Sequence, residues 1–192
     1  MPIGPLPKIS FQTAVEVCQR YEPEEEAVDC LRDGMTPSEY LQALSEREQW
    51  TEAVKFLTQA LPKRDAIAWV SQCVRNGLAM SLAPAGLAAL EATDAWLADS
   101  TDDRRRAAHD AALLAGFGTA AGCVALSVFF SGGSLGPTTL EHPIAPTDDL
   151  TGKALAGALL LAAVIDAPEN APLKMQTFVQ QGLQFACSNA ET

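Results

Sequence analysis

A chain of 192 residues, 48% hydrophobic and 19% charged, is long enough to bury a real core and too apolar to be disordered. Its net charge of −11 excludes a nucleic-acid or anionic-lipid surface, because both ligands need a basic face. Alanine and leucine dominate, and the β-branched and aromatic residues that strands favour are sparse, so the chain reads as all-α.

A proline-rich arm leads into a short helix from Phe11 to about Tyr21, with Val15 and Cys18 on its inner side. In "PEEEAVDCLRDG", Pro23 suits a first helical position, Glu24 to Glu26 suit the positive helix start, and Gly34 can end the segment in the left-handed region. "TPSEYLQALSERE" carries a compact start signal: Thr36 as N-cap, Pro37 at N1 and Glu39 closing a capping box. Trp50, Val54, Leu57 and Leu61 then recur at helical spacing. Residues 1–60 hold 11 of the 24 acids and read as an acidic helical subdomain ahead of a core at 61–192, or as the first part of one continuous domain.

After Pro62, Ile67, Val70, Cys73 and Val74 mark a buried face with Trp69 beside it. Leu87, Leu90 and Leu97 mark the next, with Trp96 alongside. Thr101 caps a long helix expected to run to Phe130, helped by Asp102 and Asp103 in its first turn. A second Ala/Leu-rich helix follows at about 150–166, and Met175, Phe178, Val179, Gly182 and Phe185 form the apolar set of the last. The expectation is a compact bundle of eight or nine helices around the two Ala/Leu-rich ones. Small residues such as Ala120, Ala121 and Gly122 on one, and Ala154, Ala156, Gly157 and Ala158 on the other, permit close approach.

Ala111 to Leu140 contains no charged residue, and Ala111 to Phe130 is long enough to span a bilayer. Its alanines and glycines gain little from lipid, so a buried central helix is expected and a membrane span is not. Arg104, Arg105 and Arg106 follow two aspartates and read as a polar helix face with internal pairs rather than a phosphate site. "GFGTAAG" lacks the preceding strand and the spacing of a dinucleotide fingerprint, and "TGK" lacks the glycine of a P-loop. Cys18, Cys30, Cys73, Cys123 and Cys187 form no C-x-x-C pair and read as reduced, buried thiols in a cytoplasmic protein without a signal peptide. The two histidines, His109 and His142, have no paired ligand spacing, so no metal and no cofactor are expected.

The loop at 131–147 has Ser131 and the Gly132–Gly133 pair after the uncharged part of the long helix, then Pro137, Pro143 and Pro146. A loop of this length in a compact domain more often carries an interaction than idles. Ser131 or Ser134 with His142 is a conceivable nucleophile and base, although "FSGGS" is not a G-x-S-x-G elbow.

Three stretches, "ALPKRDAIAWVSQCVR", "FFSGGSLGP" and "LTGKALAGALLLAA", together resemble an uncharacterised bacterial family, a domain of unknown function associated with genes near type VI secretion systems. The resemblance covers about residues 40–187, with an LPxRxAxxW block and a more distinctive SGGSL block. Matching positions are Pro62, Arg64, Trp69, Ser131, Gly132, Gly133, Ser134 and Leu135; Phe129-Phe130 stand where the family pattern has a Trp. The resemblance implies an all-helical cytosolic protein with no assigned catalytic residues.

Taken together, the chain is expected to be a non-enzymatic accessory factor that binds a secretion component or effector as adaptor or chaperone. Arg64, Trp69, Ser131, Gly132, Gly133, Ser134, Leu135 and His142 are its candidate contact residues. The alternatives are an immunity protein, whose acidic surface would occlude a basic toxin, and a hydrolase built on Ser131 or Ser134 with His142.

Overall fold

The computed structural model describes residues 3–78, 81–137, 139 and 141–188; Thr138 and Leu140 of the loop, and the start, the end and residues 79–80, lie outside that set. The described residues form an all-α bundle with no strand. Its helices are α1 (Ala14–Cys18), α2 (Glu25–Val28), α3 (Pro37–Glu46), α4 (Trp50–Ala60), α5 (Lys63–Gly77), α6 (Pro84–Ala98), α7 (Asp102–Ala115), α8 (Ala120–Phe129), α9 (Leu150–Val164) and α10 (Ala171–Cys187), the last preceded by a 3₁₀ turn at Pro168–Asn170.

Local chemistry sets several of these boundaries. Thr36 Oγ1 accepts the Glu39 N–H while Glu39 Oε2 accepts the Thr36 N–H at 2.8 Å, the reciprocal box that satisfies two orphan donors. Thr101 caps α7 through the Arg104 N–H. The short α1 buries Val17 with Cys18, whereas Val15 is only half-buried. Gly34 does lie at positive φ, +76°, but in the turn leading to Met35, because α2 stops at Val28.

The expected single helix from 102 to 130 is two. Gly116 takes φ +85° and closes α7, and Thr119 then caps α8 by accepting the Gly122 N–H at 3.0 Å. A side chain at Gly122 would strike the Gly116 carbonyl, so glycine at both positions permits the corner. The fold-back places α8 in the core, buried along nearly its whole length, and leaves Leu113 and Leu114 of α7 exposed. No helix among the described residues is long and apolar enough to cross a membrane.

α8 packs against α9 as the small residues suggest, and α6, α7 and α8 pack against one another, with α6 and α8 starting at the same end. α4 contributes as much to the interior, packing on α9, α10 and α3, and the apolar cluster is continuous from Leu6 to Ala186. On α6 the inward residues are Gly86, Ala89, Leu90, Thr93 and Trp96, with Leu87 exposed and Leu97 half-buried, because small residues let this helix sit close to its neighbours. Trp69 is fully buried where α5 crosses α10. Its Nε1–H donates to the Phe178 carbonyl at 3.1 Å, and its ring occupies the space a Gly182 side chain would need.

Candidate functional site: an arginine-pinned loop

α7 carries three arginines in its first turn and a half, and they do different work. Arg105 shares the inward face of the helix with Ala108 and Ala112 and is 4% exposed. Asp102, one turn earlier, holds it with Oδ1 at 2.8 Å from Nε and 2.6 Å from Nη2. So oriented, Arg105 donates Nη1–H to the Phe129 carbonyl at 2.8 Å and Nη2–H to the Ser134 carbonyl at 3.0 Å, and its guanidinium lies 4.7 Å from the Phe129 ring centroid. Arg106 donates Nε–H to Asp102 Oδ2 at 2.9 Å and reaches the Ser134 and Gly136 carbonyls. Arg104 donates to the Ala95 carbonyl and pairs with Asp99.

Arg64 of α5 completes this end of the bundle, donating to the Leu97 carbonyl and, at 2.8 Å, to Ser100 Oγ. Four guanidiniums therefore meet the C-terminal carbonyls of α6 and α8 and the loop beyond, where unsatisfied acceptors and the negative ends of the helix dipoles favour cations. The internal pairing expected of Arg104 to Arg106 is present, but Arg105 is a buried strut rather than part of a solvated face. The two arginines on Asp102 hold its carboxyl below the usual range through hydrogen bonds, first from Arg105 and then from Arg106.

The SGGSL segment is shaped to this strut. Gly133 has φ +66°, and a Cβ there would lie 2.8 Å from Arg105 Nε and Nη2. Ser134 is the pin: its carbonyl takes the arginines while its Oγ accepts the N–H groups of Gly136 at 3.2 Å and Ile144 at 3.1 Å. Leu135 N–H donates to the Ile144 carbonyl at 2.8 Å, so the loop closes on itself at its base. Lys63 pairs with Asp148, and Gln59 Nε2–H donates to the Asp149 carbonyl, tying down the far end. Lys153 and Thr147 hydrogen-bond Asp149, in that order of importance, and lower its carboxyl to about 2.

Of the residues expected to form a contact surface, Ser131, Gly132, Gly133, Ser134 and Leu135 lie together here. Arg64 braces the α6 terminus, and Trp69 is in the core, where it holds α10 and has no exposed face. Ser131 Oγ donates to the Val128 carbonyl at 2.7 Å; His142 is exposed, and no hydrogen bond joins it to Ser131 or Ser134. His109 is half-buried, with its ring 4.4 Å from that of Phe129.

A second polar cluster escaped sequence reasoning. Glu52, 1% exposed on the inner face of α4, pairs with Lys55 at 2.6 Å, and Lys55 also reaches Glu24 at 3.0 Å. Burial alone would lower the Lys55 pKa; the hydrogen bonds to Glu52 and Glu24 outweigh it and leave the ammonium above its usual value. Cys18, Tyr21 and Tyr40 border the same nook, and burial pushes all three upward, so none ionises near neutrality. Cys73 is likewise pushed up, to about 12. These thiols are packing groups; only Cys187 is exposed. No group of three His, Cys, Asp or Glu that could hold a metal ion occurs among the described residues.

Residues 40–186 match a family described as "Family of unknown function (DUF6931)". The chain belongs to that family. No curated protein and no solved structure matches it. The DUF6931 region runs from within α3 to the end of α10 and so contains both the Trp69–Gly182 crossing and the arginine-pinned loop.

Proposed function

We propose that this chain is a non-enzymatic, protein-binding accessory factor, an adaptor or effector chaperone acting in the context of type VI secretion. The observation that carries the reading is the contrast between the base and the tip of the loop. Arg105, Arg106 and the Ser134–Ile144 closure fix the base, while Glu141, His142 and Pro143 stand exposed at the tip. A loop held in one shape before it meets a partner loses less entropy on binding. Exposed loop residues carried on a rigid scaffold are also where recognition concentrates. The link to secretion rests on the resemblance of the LPxRxAxxW and SGGSL blocks.

The test is affinity purification from the native host after mild crosslinking. Wild type is compared with a variant whose residues 139–143 are replaced by Gly/Ser while Ser134 and Ile144 are kept. A secretion component or effector recovered with wild type and lost with the variant supports the reading. Equal recovery removes the loop from it, and no recovery with either removes partner binding. Recovery of a toxin that kills unless this chain is co-expressed replaces the adaptor with an immunity protein.

A further inference from the structure

The α6–α7–α8 trio has two unlike ends. At one, the arginines cover the helix termini. At the other, α7 turns into α8, and three large apolar residues within five positions stand in solvent: Leu113 at 54% exposure, Leu114 at 82% and Phe117 at 46%. α6 begins at this same end, since a Cβ on Gly86 would lie 3.5 Å from that of Ala121 at the start of α8; the neighbouring Leu87 is 42% exposed.

One helical turn inward from these residues the charges are negative. Glu91 follows Leu87 by four residues, and Asp110 precedes Leu114 by four. Glu91 forms no ion pair with a described residue, and Asp110 meets only the His109 ring at 3.4 Å. Apolar side chains at the tip, with acids one turn behind that pair with no described Lys or Arg, match a ligand of the opposite pattern.

We infer that the α6–α7 tip docks a basic amphipathic helix of a protein partner, its apolar stripe on Leu113, Leu114 and Phe117 and its lysines or arginines against Glu91 and Asp110. This rests on the partner-binding reading and deepens it with a surface and a partner chemistry. The same acids set two copies of this face against each other in like charge, and repel anionic lipid.

The probe is a fluorescent 14-residue peptide of leucine and lysine in helical register, with a leucine–glutamate counterpart as control, measured by anisotropy on the full chain. Wild type should bind the lysine peptide and not the glutamate one. Leu113→Ser/Leu114→Ser, which changes only exposed positions, should weaken binding at least tenfold with an unchanged urea midpoint. Glu91→Lys/Asp110→Lys should weaken it severalfold, and Glu25→Lys/Asp29→Lys on α2 and its C-cap, an equal change in total charge, should have little effect.

Absence of lysine-peptide binding, equal binding by the leucine variant, or equal loss from the α2 variant overturns the proposal. A wild-type dimer that the leucine variant dissolves makes a second copy the occupant and overturns it too. These failures are separable from failure of the broader reading: a host partner still recovered by wild type, and equally by the leucine variant, rejects this surface while partner binding stands.

Discussion

The crossing of α5 with α10 and the docking of the loop on α7 join distant parts of the chain by opposite means. At the crossing, a glycine on one helix admits the indole of the other, and one hydrogen bond, Trp69 Nε1–H to Phe178 O, anchors it in an apolar setting. At the loop, a buried guanidinium reaches carbonyls of two segments and is itself held by a carboxylate. Close packing is insensitive to pH and intolerant of volume change. A charged hydrogen-bond network tolerates small changes around it but fails when one member loses its charge or its fork geometry. The first device fixes the scaffold, and the second sets the shape of what the scaffold presents.

The contrast breaks most severely at the indole. Trp69→Ala should cost about 3–5 kcal/mol, read from the urea midpoint, since it empties a fully buried site and leaves the Phe178 carbonyl short of a partner. Gly182→Ala attacks the same contact from the other side. Its new Cβ would lie 2.7 Å from the Trp69 ring, and the expected cost is about 1–3 kcal/mol. Because the alanine occupies space that the missing indole leaves, the double variant should lose less than the sum. Strict additivity would show that the two helices are not joined through this contact.

Arg105 comes next. Arg105→Ala leaves the Phe129 and Ser134 carbonyls without this donor and should cost about 1.5–3 kcal/mol, the range for hydrogen bonds to a charged group. Arg105→Lys keeps the charge but cannot span both carbonyls, so it should recover only part of the loss. Hydrogen exchange separates this from the packing variants: the Leu135 and Ile144 amides, bonded at the loop base, should exchange by local opening in Arg105→Ala and stay protected relative to the rest in Gly182→Ala.

Acid should loosen the loop and spare the crossing. Asp102 is held below its ordinary carboxylate value by Arg105 and then Arg106, so it contributes stability above the unfolded pKa. That contribution is lost as pH falls from about 4 through the lower folded value. In that window the exchange protection of Leu135 and Ile144 should decline in wild type, and Asp102→Asn should remove the pH dependence. A slope unchanged by that substitution would detach the loop from its carboxylate.

Much of this was legible in the residues, and the gaps have physical causes. The capping box at Thr36 and Glu39, the Thr101 cap, the buried face of α5 and the close pairing of α8 with α9 all follow from local signals. The corner at Gly116–Thr119 did not, because glycine in an alanine-rich run serves helix packing as readily as a helix end. What distinguishes them is the threonine three residues before Gly122, an N-cap hidden among small residues. On α6, alanine gives little contrast between faces, so large leucines draw the eye while Gly86 and Ala89 make the contact. Arg105 and Glu52 are charges on inward stripes; their partners in space, Phe129, Ser134 and Lys55, set their roles. Of the loop, the residues were legible in the sequence; the fold supplied the arginine that holds them and the reason Gly133 is glycine.

The smallest effect tests the finest point, which of the two loop glycines the arginine requires. Gly132 has open space where a Cβ would sit and no positive φ, so Gly132→Ala should stay within about 0.5 kcal/mol of wild type. Gly133→Ala meets φ +66° and the Arg105 guanidinium at 2.8 Å together, and should cost about 1–2 kcal/mol. The steric part of that cost belongs to Arg105, so in an Arg105→Ala background Gly133→Ala should be milder, leaving mainly the backbone strain. If the two glycines respond alike in both backgrounds, the segment is a flexible turn and the arginine does not shape it. If only Gly133 responds, and less without Arg105, the glycine pair is divided between a free hinge position and a seat for the guanidinium.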